Sequence, residues 1–324
     1  MYRSSFRMSV VLILTALMVA VGSLYAFAGE WITGDFHTHT FLTDGSHTQA
    51  DVVGHAFDTF GLDWMANSEH GGAFARNPEG AYWENVTPAP YIIGNPVKDK
   101  NGRLLMWRWQ SLRDYSYPLL QSLQSRYSNK TLIQGLEWNV PSHEHASVAI
   151  VEDVPTAISD FEYMFDAGDK DTSRAREGLV KRNVTHADAV AGAAYLQENY
   201  ADTSYFLINH PSRVLKYSAA DIRDFNNAAP TVCFGFEGLP GHQKEDARGG
   251  YGSNLGDNTY RARTYGGADY MVAGWEGSGI AYSVRSAGSG YSRTRISIAL
   301  MVGISILVSI LRPMSTLKTG ARAP

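Results

Sequence analysis

Apolar and polar positions along the chain follow two rhythms. Compact apolar runs at residues 29–40, 62–67, 131–140, 147–151, 205–208 and 232–236 have the length and composition of strands. Between them, apolar residues recur three and four apart: Val52, Val53, Ala56, Phe57 and Phe60, then Trp107, Trp109, Leu112, Tyr115, Leu119, Leu120 and Leu123. These spacings predict amphipathic helices over 48–60 and 104–127 that bury their apolar stripe. Two more are predicted over 185–200 and 219–226. Ser46 or Thr48 is the expected cap of the first helix and Thr185 of the third. A β-α-β alternation of this length implies parallel strands joined by right-handed crossovers. Two segments break the rhythm. Residues 71–101, rich in Gly, Pro, Asn and aromatics, form a long insertion expected to rim whatever site the strands carry. Residues 155–183, dense in Asp, Lys and Arg, read as a solvated surface segment.

Length and composition narrow the picture. A chain of 324 residues can bury a full core as one barrel-sized domain. Its net charge of −4 gives no broad electrostatic case for a nucleic-acid partner. The single cysteine, Cys233, excludes an intrachain disulfide and is expected to be a buried strand residue. At the N-terminus, Arg3 and Arg7 precede an apolar run, and Ala26 and Ala28 occupy the positions a signal peptidase reads. Residues 1–28 are thus expected to be a signal peptide, with the mature chain exported to the periplasm or beyond.

The far end differs. After Glu276 there is no Asp or Glu, while six Lys or Arg occur. The continuous apolar run 296–311, ~24 Å long as a helix, is short for the ~30 Å hydrocarbon core. Three parts follow: the leader 1–28, a main domain over 29–276, and an atypical tail over 277–324. The tail is read as a membrane-contacting segment or as the product of a shifted reading frame, with the second favoured.

The candidate chemistry starts at His37 and His39. Residues two apart on a strand point the same way, so both imidazoles leave one face, with Asp44 in the loop just beyond. Neutral imidazole is the commonest metal ligand. Four later strand-like segments also end in His or Glu, at Glu69-His70, Glu137, His210 and Glu237. His143 and His145 compete for one ligand position, and His145 is preferred because it abuts the next strand. His55 and His186 are expected to be ordinary helical residues. His242 and the Gly-rich, basic-aromatic stretch 241–268 are candidates only for the rim.

His37-Thr38-His39, Asp44-Gly45, Ser68-Glu69-His70, the stretch 135–139 with His145 downstream, and Asn209-His210-Pro211 stand in a telling order. In that order they resemble the successive motifs of the PHP (polymerase and histidinol phosphatase) family of metal-dependent phosphoesterases. The resemblance runs from about residue 34 to residue 211, and more loosely to 273. It implies an α/β fold, a distorted seven-stranded (β/α)7 TIM-like barrel, with two or three divalent ions (Zn, Mn or Fe) at the C-terminal ends of its strands. On that basis His37 and His39 would hold one ion, and Glu137 would bridge to a second held by His145 and His210. Asp44 and His70 would serve a third, with Glu137, His70 and Asp44 carrying the catalysis. Asp35 and Glu69 are expected to orient imidazoles. The implied activity is hydrolysis of a small phosphorylated substrate, such as a phosphate ester or nucleotide. Proteins of this family close the barrel with a late D-x-H pair. None occurs after His210, so the barrel is expected to be incomplete at its C-terminal end. Two alternatives stand beside this reading: an amidohydrolase-type metal hydrolase, and a catalytically impaired binding barrel.

Overall fold

The computed structural model describes residues 32–95, 97–151, 154–209 and 216–236, with two further strands at 296–299 and 307–310. In chain order the strands are β1 (Ile32–Thr38), β2 (Trp64–Asn67), β3 (Ala73–Phe74), β4 (Val97–Lys98), β5 (Leu104–Trp107), β6 (Thr131–Asn139), β7 (His145–Ile150), β8 (Ser204–Ile208), β9 (Cys233–Phe236), β10 (Ile296–Ala299) and β11 (Leu307–Ile310). The helices are α1 (Gln49–Gly54), α2 (Arg108–Ser111), α3 (Tyr117–Arg126), α4 (Ala157–Phe165), α5 (His186–Tyr200) and α6 (Ala219–Ala228). A π-helical turn, His55–Thr59, prolongs α1, and another, Leu112–Ser116, joins α2 to α3. Thr48, Thr185 and Ser218 cap α1, α5 and α6. Each accepts a backbone amide while an Asp three residues on returns the bond, so orphan amides at both positions are satisfied.

The main sheet runs β10-β11-β1-β2-β6-β7-β8-β9. Strands β1, β2 and β6 are parallel, as the β-α-β alternation implies. Strands β6, β7 and β8 then form an antiparallel meander, because only residues 140–144 separate β6 from β7, too few for a crossover. The expected seven-stranded barrel of alternating strands and helices is therefore met in part. The sheet is α/β in character and curls like half a barrel, and among the described residues no pairing joins β9 to β10.

Both faces of the sheet are covered, which explains the near-continuous apolar strands. On one face Trp138, Phe206 and Val148 pack against Phe161, Leu196 and Phe225 of α4, α5 and α6. Further along, Met65 and Leu132 meet Val53, Phe57, Leu120 and Leu123 of α1 and α3. The concave face holds Phe36, Trp64, Ala66, Ile133, Ala149, Tyr205 and Leu207. Gly34 lies so close to Trp64 that a Cβ there would stand 2.0 Å from the indole, so the residue opposite Trp64 must lack a side chain.

Several expectations need correction. The helix predicted over 104–127 begins only at Arg108, since Leu104–Trp107 instead pair with β3 and β4 in a small three-stranded sheet built by the insertion. The segment 155–183 is a solvated face only in its second half, where residues 175–178, 180 and 182 are exposed. Every residue of α4 except Asp160 is buried, as are Asp166, Asp169 and Asp171 beyond it. Within the apolar run 296–311, β10 and β11 pair antiparallel, and β11 also pairs with Ile32 and Thr33. Among the described residues no helix is long and apolar enough to cross a membrane. The predicted leader, the stretch 241–268, His210, Glu237 and His242 lie outside the described residues.

Candidate metal centre

Follow the concave face toward the C-terminal ends of the parallel strands and its apolar row turns polar. Side chains alternate along a strand, so Ile133 on β6 is followed on the same face by Gly135 and Glu137. Trp64 and Ala66 lead to Ser68 and His70, and Tyr205 and Leu207 lead to Asn209. On β7, which runs the other way, Ala149 leads back to Ser147 and His145.

Strand β1 joins this row by an irregularity. Asp35 is opposite Met65, but Thr38 is opposite Asn67, so β1 spends one more residue than β2 over that interval. The extra residue flips the alternation. Phe36 packs inside before it, and His37 and His39 face the same side after it.

Glu137 is the hub. Its carboxylate is 1 % exposed and meets four imidazoles. His37 Nε2 and His145 Nδ1 stand 3.3 and 3.0 Å from Oε1, and His39 Nε2 and His70 Nδ1 stand 3.2 and 2.8 Å from Oε2. Asp44, largely exposed, spans the outer side of the cluster. Its carboxylate lies 3.0 Å from His39 Nδ1 and 3.5 Å from His70 Nε2. The structure therefore brings together six of the seven expected ligands.

The charge balance follows from this crowding. Burial pulls His70 down, but hydrogen bonds to Asp44 and Glu137 outweigh it and hold the ring at about 9. His39 is raised above its ordinary value by the same contest. The imidazoles of His39 and His70 hold Asp44 well below the usual carboxylate range, against the opposing effect of burial.

The donor set fits divalent cations. His37 Nε2 and His39 Nε2 face each other at 2.7 Å, a contact that requires a proton or a cation between two lone pairs. Three overlapping groups have ligand atoms close enough to share an ion: His37, His39 and Glu137; His39, Asp44 and His70; His70, Glu137 and His145. Mixed imidazole and carboxylate donors suit Zn, Mn or Fe.

Residues around the cluster fix its geometry, and the sequence reading missed most of them. Glu69 touches no imidazole directly and reaches one only through Thr43, whose hydroxyl lies 3.3 Å from His39 Nδ1. It accepts the Thr40 amide at 2.9 Å and the hydroxyls of Thr40 and Thr43, clamping the loop between His39 and Asp44. Asp35 accepts the His37 backbone amide at 2.9 Å. Asn209 donates from Nδ2 to Glu137 Oε1 at 3.2 Å while its Oδ1 accepts the Ser147 amide. Arg108, fully buried, donates to the carbonyls of His70 and Leu42 at 2.9 and 2.6 Å, tying both ligand loops together. The insertion leans on the cluster as expected, with the Phe74 ring parallel to His70 at 6.3 Å.

Behind His70 lies a buried acidic group. Glu162 accepts the Gly72 amide at 2.8 Å, and Asp166 accepts from Asn139 and the Gly168 amide. Burial pushes Asp166 up to about 6 against the hydrogen bonds from Asn139, and pushes Glu162 well above the ordinary range. The signal for these residues was present as charge within 155–183, but charge along a sequence carries no mark of burial.

His143 points elsewhere. Its ring stacks on Tyr217 at 4.9 Å and its Nε2 faces His186 Nδ1 at 2.8 Å. Of the competing pair, His145 is the one that reaches Glu137.

No family model matches the chain, and no curated protein matches it. Among solved structures it is similar to a two-domain protein from Bacteroides vulgatus containing a predicted PHP-like metal-dependent phosphoesterase. That similarity has a TM-score of 0.29 and 18% sequence identity, covering 56% of this chain and 36% of that one. The match thus spans little more than a third of that protein's length.

Proposed function

We propose that this protein is a metal-dependent hydrolase of small phosphate esters, with its reaction centred on Glu137. One observation carries the reading. A single buried carboxylate on β6 receives four imidazoles, from β1 and the residue just after it, from the segment after β2 and from β7, and an exposed carboxylate, Asp44, closes the outer side.

In this reading Glu137 would be shared by two ion positions, one with His37 and His39 and one with His70 and His145. Asp44 with His39 and His70 would hold a further ion on the solvent side, two or three in all. Ions held this way supply an acidified water and neutralise charge on the phosphoryl oxygens. The chain's own part is to aim the rings at Glu137 and Asp44. Thr40 and Thr43, fixed by Glu69, set the loop that carries Asp44, and Arg108 anchors the carbonyl of His70. Low-dielectric surroundings at Glu137 strengthen each of these interactions. Export through the leader would place the reaction outside the cytoplasm.

Turnover of bis-(p-nitrophenyl) phosphate by the zinc- or manganese-loaded chain is the test, run beside lactone and amide substrates. Phosphodiester turnover that chelator abolishes and metal restores is the expected result. Turnover of only the lactone or amide would transfer the assignment to amidohydrolase-type chemistry. Metal binding with no turnover of any substrate would favour a binding protein.

A further inference from the structure

A second cluster of possible ligands gathers around His143. His143 lies in the turn between β6 and β7, His186 opens α5, and Asp221 stands in the first turn of α6. Their nitrogen and carboxylate atoms come within 4.8 Å of one another. The two rings are half-buried.

The hydrogen bonds of these rings leave one arrangement of protons. His143 Nδ1 sits 3.0 Å from the Lys216 carbonyl, which can only accept, so that nitrogen carries the hydrogen. His186 Nε2 sits 3.1 Å from an Asp224 carboxylate oxygen, which also accepts, so that nitrogen carries the hydrogen too. The remaining nitrogens, His143 Nε2 and His186 Nδ1, then face each other at 2.8 Å as two lone pairs. Something positive belongs between them.

Two features favour a metal ion there. Ligating histidines nearly always donate their other N–H to a carboxylate or a backbone carbonyl. Both rings do so here. Asp221 also brings an oxygen to the same point. Its Oδ2 accepts the amide and hydroxyl of Ser218 at 2.7 Å each, while Oδ1 is turned toward His186 Nδ1 at 3.8 Å.

We infer that His143 Nε2, His186 Nδ1 and Asp221 Oδ1 form a second, separate site for a single zinc-class divalent ion. Bonds of about 2.0–2.1 Å to each nitrogen require the facing atoms to part by roughly half an ångström, a small rotation of two half-buried rings. Two imidazoles and one carboxylate suit zinc, cobalt or nickel better than magnesium or calcium. The ion would pin the β6–β7 turn to the starts of α5 and α6. Tyr217 braces this side of the turn: its ring stacks on His143 and its hydroxyl lies 2.9 and 3.0 Å from the carbonyls of Glu144 and His145. The inference stands on different residues from the proposed hydrolytic centre and does not rest on it.

Zinc per chain, measured by elemental analysis after equilibration with zinc and removal of excess, tests it in the full-length protein. His186→Gln should bind one zinc fewer than the wild type while phosphodiester turnover stays within about twofold. Zinc should also raise the wild-type melting temperature more than that of the variant. A zinc-soaked crystal should give an anomalous peak between His143 Nε2 and His186 Nδ1. An unchanged zinc count in folded His186→Gln, with no such peak, would overturn the site and leave a shared proton as the link. Joint loss of zinc and turnover would also overturn it, by placing His186 in the first centre. If the wild type hydrolyses nothing, the first reading fails while the zinc count still decides this one.

Discussion

His145 Nδ1 lies 3.0 Å from Glu137 Oε1 although the two residues are not directly paired across β6 and β7. His145 is opposite Asn139, and Glu137 is opposite Ser147. The contact is therefore the diagonal one, between residues offset by two on the same face of an antiparallel pair. It exists because the β6–β7 connection is a tight turn that returns the chain to the edge it has just left.

Glu137→Gln removes the one negative charge that all four imidazoles share and keeps the side-chain volume. Metal retention and phosphodiester turnover should both drop, turnover by at least about 100-fold, with the fold intact by circular dichroism. Full turnover in the folded variant would contradict the bridging role.

The metal-free protein should lose stability at high pH. His70 is raised from 6.5 to about 9 in the folded state. A raised imidazole contributes stability that is complete below the unfolded value and is lost as pH rises through the folded one. The urea midpoint of chelator-treated protein should therefore fall between about pH 6.5 and pH 9. A cation must displace the same proton, so zinc affinity should climb across that window, and a calorimetric titration should show proton release. A flat urea midpoint would argue that Asp44 and Glu137 do not hold His70 in solution.

Gly71→Ala should damage the centre from behind. A Cβ at this position would stand 1.9 Å from the Asp166 carboxylate, which is itself buried and bonded to Asn139. The clash should cost about 1–3 kcal/mol and shift His70 from Glu137. Thermal melting and zinc affinity should fall together, and an unaffected zinc affinity would show that the segment after His70 absorbs the strain locally.

Glu162→Gln should stabilise the protein. Burial, with Asp169 and Asp166 beside it, raises this carboxyl well above 4.5. A buried acid with a raised value costs stability once the pH exceeds the unfolded value, and glutamine carries no such cost. The variant keeps an oxygen for the Gly72 amide. Its melting temperature should exceed the wild type by about 2–4 °C near neutrality, with the gap closing toward acid pH. Equal melting temperatures at every pH would mean that Glu162 is ionised and compensated.

Much of the centre was legible along the chain because it follows from local rules. A strand places residues two apart on one face, so His37 and His39 had to travel together, and Glu137 had to continue the face of Ile133. Capping boxes at Thr48 and Thr185 depend only on residues three apart. Those features need no partner from elsewhere in the fold.

Other features needed the tertiary structure, for a common physical reason: each depends on which distant group lies opposite. The extra residue in β1 that aims both histidines inward is defined only against β2. Arg108, Glu162 and Asp166 are ionisable residues whose burial is set by elements distant along the chain rather than by neighbours in sequence. The choice between His143 and His145 turned on a turn geometry that sends one ring to Glu137 and the other to His186. Sequence by itself determined which side chains could carry the chemistry and on which faces of their strands. Which of them share a carboxylate, and which charges lie out of reach of water, was decided by pairing and burial across the fold.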